Sequence, residues 1–187
     1  METVEPIRSK KQIDNMKRYL KETSLRNWLL FTLGINSGLR IGDLLQLTIE
    51  EVKDCERLSI REQKTGKTKD FPLSDTCKKA IAEYLKAESL KEGPLFPSRK
   101  VSGSRGTGSI SRQQAYQIIN DAAQSVGVTV RVGTHTLRKT FGYHAYKQGI
   151  SLEIIQKLLN HSAPSVTLRY IGITKEELDN VYIAINL

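Results

Sequence analysis

The sequence predicts an α+β fold, mainly helical, with one small three-stranded antiparallel sheet. Three observations carry this reading. Apolar residues recur at helical spacing in most windows, and several of those windows open on a Ser or Thr suited to cap a helix. One stretch, residues 48–73, breaks that rhythm with short β-branched or alternating segments separated by turn signals. The 187 residues, 39% hydrophobic and with five prolines, suffice for one ordinary core and would be tight for two.

Taken in order, residues 1–8 contain Pro6 and no apolar rhythm, so they read as a lead-in. Ser9 caps a helix to about Glu22, with Ile13, Met16 and Leu20 on one side and Lys10, Lys11, Lys17, Arg18 and Lys21 on the rest. That basic face is either solvated or an arm for a nucleic-acid backbone. A second helix, Leu25 to about Ser37, is apolar nearly all round through Trp28, Leu29, Leu30, Phe31, Leu33 and Ile35, as a central core helix is. Gly38 breaks it, so Arg40 sits on a rigid mounting just beyond a buried element. Asp43, three residues on, either orients Arg40 by an ion pair or forms an ordinary surface pair.

Residues 48–52, 58–62 and 69–73 then read as the three strands, with turns at 53–56 and 65–68. Lys64 and Lys67 flank the second turn. Ser74 opens a helix carrying Cys77, Ala80, Ile81, Tyr84 and Leu85, which ends near Gly93-Pro94. Residues 97–108, with Arg99, Lys100 and Arg105 among serines and glycines, have the composition of a mobile basic loop.

Ser111 and Gln114 fit a capping box for a helix whose buried face runs from Ala115 to Val126. Residues 128–132 are extended and deliver the chain to Thr134, the expected cap of the helix bearing His135 and Arg138, which Gly149 ends. Ser151 caps the next helix, with Ile154, Ile155, Leu158 and Leu159 inward and His161 at its end. Pro164 starts a turn toward Tyr170. Residues 174–185 form a last amphipathic helix, packed in cis or docked on a neighbour.

Composition narrows the function classes. Twenty-nine Lys and Arg against 20 Asp and Glu give a formal charge of +9 and a pI near 9.6, which implies an acidic partner, most simply nucleic acid. Cys55 and Cys77 are too few and too isolated for a disulfide framework or a zinc site. The N-terminus lacks a secretion signal's apolar stretch and no run approaches a bilayer span, so the expectation is a cytoplasmic protein without a membrane partner.

The chemistry is concentrated late in the chain. His135 and Arg138, three apart, share a helix face, and His161 and Tyr170 follow. A guanidinium offers a planar fork of donors for phosphate oxygens, an imidazole moves protons near neutral pH, and a phenol can be a covalent nucleophile. That set suits phosphoryl transfer without a metal. Each residue alone is more often structural; their combination with an upstream arginine and a turn lysine is what raises the chemical reading.

The ordered set of Arg40 in Gly38-Leu-Arg-Ile-Gly-Asp43, Lys64, His135-Thr-Leu-Arg138, His161 in Leu158-Leu-Asn-His161, and Tyr170 in Leu168-Arg-Tyr170 resembles the catalytic domain of the tyrosine recombinases, the phage integrase and Xer group, over about Ser9 to Ile185. The resemblance implies that family's catalytic-domain fold as one unit over 1–187, with 1–23 a lead-in and basic helix and 174–187 a helix that can be exchanged between subunits. It implies a site of Arg40, Lys64, His135, Arg138, His161 and Tyr170, with Tyr170 the nucleophile that forms a 3′-phosphotyrosyl link. Lys67 is the nearby competitor of Lys64 as the hairpin lysine.

It further implies double-stranded DNA as partner, touched by Lys10, Lys11, Lys67, Arg99, Lys100, Arg105, Arg112 and Lys139. A homotetramer on two DNA sites, accessory recombination proteins, and no cofactor or metal complete the expectation. Family members usually carry an N-terminal core-binding domain, for which the residues before the catalytic fold leave no room; without that clamp, DNA affinity should be lower and strongly salt-dependent. Two other readings stand beside this one. Residues 138–160 resemble a helix-turn-helix pair of a DNA-binding protein, and relaxation of the type IB topoisomerase kind uses related chemistry.

Overall fold

The computed structural model describes residues 4–101, 107–173 and 175–185. The first helix, Lys10–Thr23 (α1), starts where Ser9 Oγ accepts from the Gln12 amide, and it buries Ile13, Met16 and Leu20. Helix α2, Leu25–Ser37, is the central element: Leu29, Leu30, Phe31 and Leu33 are all buried, and α1, Asp75–Ala87 (α5) and Thr134–Lys147 (α7) pack around it. It ends at Gly38, whose φ of 61° is left-handed. A Cβ there would also fall 2.6 Å from Phe141 Cδ1, so conformation and packing both require glycine. The chain leaves this fixed end in an extended turn, which makes Arg40 the cap residue of the short helix Ile41–Leu44 (α3).

The three-stranded sheet is not what forms. Residues 49–52 are a short helix, Ile49–Val52 (α4), and Thr48 makes only an isolated bridge to Pro94. The reason lies in the local sequence. Thr48 and Glu51 are a capping box: the Glu51 carboxylate accepts from the Thr48 amide at 2.9 Å and Thr48 Oγ1 from the Glu51 amide at 3.4 Å, which outweighs the β-branched composition. The other two strands form as a two-stranded hairpin, Arg57–Arg61 (β1) antiparallel to Thr68–Pro72 (β2), with Arg61 opposite Thr68.

A second hairpin, Pro97–Val101 (β3) with Thr107–Ser109 (β4), stands where the basic loop was expected. Buried Phe96 and Ile110 flank it and are joined by an amide-to-carbonyl bond of 2.9 Å, so an apolar clasp closes what composition reads as a loop. Arg105 lies outside the described residues; Arg99 and Lys100 lie in β3, and their side chains are also outside the description.

Helix α6, Arg112–Ser125, has the expected Ser111–Gln114 capping box. Helix α7 begins one residue earlier than expected: Gly133 is the cap residue, Thr134 is already helical, and Thr136 Oγ1 accepts from the Gly133 amide at 3.0 Å. Helices Leu152–Leu158 (α8), Pro164–Ile171 (α9) and Lys175–Ala184 (α10) follow. Most apolar residues join one core. Ile155, Leu159 and Ile171 form a separate small cluster that also seats Phe141 and Tyr170, so α8 and α9 rest on much less buried surface than the rest. Among the described residues no helix is long and apolar enough to cross a membrane.

Candidate active site

Five of the six expected site residues, Arg40, His135, Arg138, His161 and Tyr170, are drawn together. Arg138, on the first turns of α7, is 2% exposed; its Nη1 donates to the Gly38 carbonyl at 2.7 Å and its Nη2 to the Leu159 carbonyl. One guanidinium thus ties the end of α2 to the end of α8 and is fixed by both. Arg40 comes to the same place from the other side of Gly38, and Nη1 of its guanidinium forms an ion pair with Glu62 Oε1 at 2.7 Å.

Tyr170, on α9, places its hydroxyl 3.5 Å from His135 Nδ1, and its ring meets the His161 ring edge-on at 4.8 Å and 70°. His161 Nδ1 lies 3.1 Å from the buried Thr167 Oγ1, which orients the imidazole. Burial, then Arg138 and Arg40, pushes His161 down to about 4, so it is neutral near pH 7. Burial first, then Arg138 and Lys139, also lowers His135. Burial raises Tyr170 while the Arg138 and Arg40 charges pull it back.

The lysines are arranged differently. Lys64 is exposed in the β1–β2 turn, and its charge acts on His135 without a side-chain contact to it. Lys67 is exposed on the far side of the same turn. Lys139, expected at the DNA surface, is 8% exposed, and its Nζ lies 5.3 Å from the centroid of the Tyr170 ring. Arg112 does reach the edge of the site, donating to Gln63 Oε1 at 3.3 Å beside Lys64. Lys10 and Lys11 are on the exposed face of α1.

Asp43 does not orient Arg40. It is buried, and its Oδ1 accepts from the Gln63 amide at 2.9 Å, fixing the start of the hairpin turn instead.

Three residues in the site escaped the sequence reading. Glu62 has a fully buried side chain; besides Arg40 it accepts from Thr65 Oγ1 at 2.7 Å and from Asn160 Nδ2 at 3.0 Å. Burial works to raise its carboxyl, but these hydrogen bonds and the Arg40 charge outweigh that and hold it below the usual range. Asn160, at a left-handed φ of 48°, turns the chain from α8 into His161. Lys69 turns inward from β2, donating to the Ser37 carbonyl at 3.1 Å, and burial with the Arg138 charge lowers it to about 8. Strand alternation was the available signal for Lys69, which shares an inward face with Phe71.

The assembled pocket places the Arg40 and Arg138 guanidiniums around two imidazoles and a phenol, an arrangement that can hold an anionic group. Among the described residues no group of three or more His, Cys, Asp or Glu side chains gathers as metal ligands.

The fold is that of the catalytic domains of site-specific DNA recombinases. Over its whole length the chain is similar to the XerA recombinase structure, with a TM-score of 0.77 at 20% identity, covering 66% of that protein. It is also similar to the catalytic domain of bacteriophage HP1 integrase, with a TM-score of 0.62 at 18% identity and coverage of 98% and 96% of the two chains. The chain belongs to the phage integrase family, matching it over residues 8–177. It is 42% identical over 183 residues to the probable integrase/recombinase YoeC of Bacillus subtilis, spanning 97% of both chains. It is 33% identical over 171 residues to the tyrosine recombinase XerC of Thermodesulfovibrio yellowstonii, spanning 87% of this chain and about half, 55%, of that one.

Proposed function

We propose that the chain cleaves and rejoins one DNA strand at a specific site through a phosphotyrosyl intermediate, the chemistry of integration and recombination. The observation that supports it best is the Tyr170 hydroxyl beside His135 Nδ1, in a pocket walled by Arg40, Arg138 and His161.

In this reading Tyr170 Oη attacks the scissile phosphorus and its proton passes to His135 or solvent. The P–O5′ bond breaks and the 5′-oxygen leaves as a hydroxyl, taking a proton from Lys64. One phosphodiester becomes one phosphotyrosyl ester, so the bond energy is kept and rejoining needs no nucleotide. Arg40, Arg138 and His161 bind the non-bridging oxygens; losing one such donor costs about 10²–10³ in rate. Binding of a phosphate dissolves part of the resting arrangement, because the Arg40 charge is at present directed at Glu62.

Lys10, Lys11, Lys67 and Arg112 serve as phosphate contacts in this reading, and residues 1–187 work as one catalytic unit on duplex DNA in the cytoplasm. Recombination assembles four copies on two DNA sites, with α10 exchanged between subunits. Exposed Ile183 and Ile185 in and just beyond α10, exposed Val166 and Leu168 on α9, and Ile154 and Leu158 on α8, which face outward rather than inward as their spacing predicted, are the apolar surfaces such an exchange would cover.

The test uses a pool of nicked duplexes of randomised sequence, labelled at the 5′ end of the strand to be cleaved, with the nick just beyond the cleavage point so that the 5′-hydroxyl fragment escapes. After denaturation the wild-type chain carries label, Tyr170→Phe does not, and sequencing the trapped strands gives the target. No adduct anywhere in the pool, or an adduct that survives Tyr170→Phe, overturns the proposal.

A further inference from the structure

The segment before α1 is a strap over the two helices that carry the site. Ile7 is fully buried; its amide donates to Thr140 Oγ1 at 2.9 Å, and its carbonyl lies 3.0 Å from His144 Nε2, so both of its backbone groups are fastened to α7. Upstream, the Glu5 amide donates to the Arg131 carbonyl at 2.8 Å. Fixed at these points, the strap directs two charged side chains toward α9.

Arg8 Nη2 makes two contacts of 2.8 Å, one to Glu5 Oε2 and one to the carbonyl of Gly172. Gly172 is the left-handed residue that ends α9, two positions after Tyr170. The end of a helix presents carbonyls without partners and the negative end of its dipole, so a guanidinium there caps and orients it. The guanidinium also lies 5.5 Å over the Tyr143 ring of α7. Both side chains lie directly against this residue: a Cβ on Gly172 would be in van der Waals contact with Arg8 Nη2 at 3.4 Å and with Glu5 Oε2 at 3.6 Å.

Lys139 meets the other end of the same problem, with its ammonium over the Tyr170 ring. Burial lowers that ammonium's pKa and the Glu5 carboxylate raises it again, so Glu5 favours both cations. Helix α9 otherwise rests on the small Ile155–Leu159–Ile171 cluster, so few buried apolar residues besides the strap hold it in place.

We propose that Glu5, Arg8 and Lys139 form a clamp that sets the position of the nucleophile, with Arg8 a positioning residue acting through the Gly172 carbonyl. This rests on Tyr170 being the nucleophile. In-line attack tolerates little displacement, and an error of about 1 Å commonly costs about 10²-fold in rate. A device that fixes the far end of an eight-residue helix therefore acts on the chemical step rather than on DNA binding.

Arg8→Ala, Arg8→Lys and Glu5→Gln are made in the full chain and followed by two measurements. In the DNA-free protein, amide exchange of Thr167–Ile171 speeds up about tenfold in Arg8→Ala, with α2 amides unchanged. On the trapped duplex, adduct formation at saturating DNA slows about tenfold or more in Arg8→Ala while DNA affinity stays within about twofold; Arg8→Lys, which keeps the charge but not the planar fork of donors, recovers part of the rate. Unchanged exchange in α9 overturns the clamp, as does a rate loss carried wholly by DNA affinity. A wild-type chain that yields no adduct refutes the cleavage reading instead, and the exchange measurement still decides the clamp.

Discussion

Arg40 Nη1 lies 2.7 Å from Glu62 Oε1, and the carboxylate side of this pair has no exposed surface at all. Because Glu62 also holds Thr65, next to Lys64, and Asn160, next to His161, one buried acid joins three separate stretches of chain that supply the site. Breaking a buried pair by removing one partner typically costs about 3–5 kcal/mol, since the remaining charge is left unpaired. Glu62→Ala should destabilise by about that much in urea unfolding, and Glu62→Gln, which keeps hydrogen bonding to Thr65 or Asn160, by less. A double-mutant cycle with Asn160→Ala should be non-additive by at least about 0.5 kcal/mol; additive losses would show that the two do not act together.

Lys64 and Lys69 compete for the role of proton donor to the departing oxygen. Lys64, the proton donor of the proposed reaction, is exposed in the hairpin turn, whereas Lys69 is fixed at the Ser37 carbonyl and lowered to about 8, a value suited to giving up a proton. A sulfur in place of the bridging 5′-oxygen leaves without protonation. Lys64→Ala is expected to slow cleavage of the normal strand by about 10²–10⁴-fold and to cleave the sulfur-substituted strand at close to the wild-type rate. Lys69→Ala, in contrast, should not be rescued by sulfur, because Lys69 shapes the end of α2. The opposite pattern would reassign the proton donor.

Several of the helices were legible because their caps are written locally: Ser9, Ser74, Ser111 and Ser151 each accept the expected amide. The positions of Arg40, His135, Arg138, His161 and Tyr170 in sequence order were legible as well. Residues 48–52 were misread because a Thr-x-x-Glu box competes with strand composition, and residues 97–101 and 107–108 because an apolar clasp at Phe96 and Ile110 lies outside the basic stretch it closes. Glu62 and Asn160 were illegible for a different reason. Their importance comes from meeting across a separation of 98 residues, which no local pattern encodes.

Acid should weaken the fold through the two site histidines. His161 titrates near 6.5 when unfolded and about 4 when folded. Between those values the unfolded chain binds a proton the folded chain does not, so stability is full above about 6.5 and is lost as pH falls toward about 4. His135 is lowered in the same direction and adds to the slope. His161→Gln should flatten the fall in urea midpoint between pH 6.5 and 4. A bound phosphate reverses the balance by favouring the imidazolium, so DNA affinity should rise over the same interval as pH is lowered.

Gly142 separates packing of the nucleophile helix from stability of the fold. It lies inside α7, where alanine would gain about 1 kcal/mol of helix propensity. Its Cβ, however, would fall 2.9 Å from Ile171 Cγ2 and 3.2 Å from Leu159 Cδ1, in the small cluster under α9. Overpacking of that kind costs about 1–3 kcal/mol, so Gly142→Ala should leave the urea midpoint nearly unchanged or slightly lower. Its effect on catalysis should be disproportionate, because relief of the clash pushes Ile171, and with it the adjacent Tyr170, away from Arg138 and His135. Adduct formation is expected to fall by about tenfold or more at unchanged DNA affinity. A variant that loses stability but keeps the wild-type cleavage rate would show that α9 moves independently of its packing on α7.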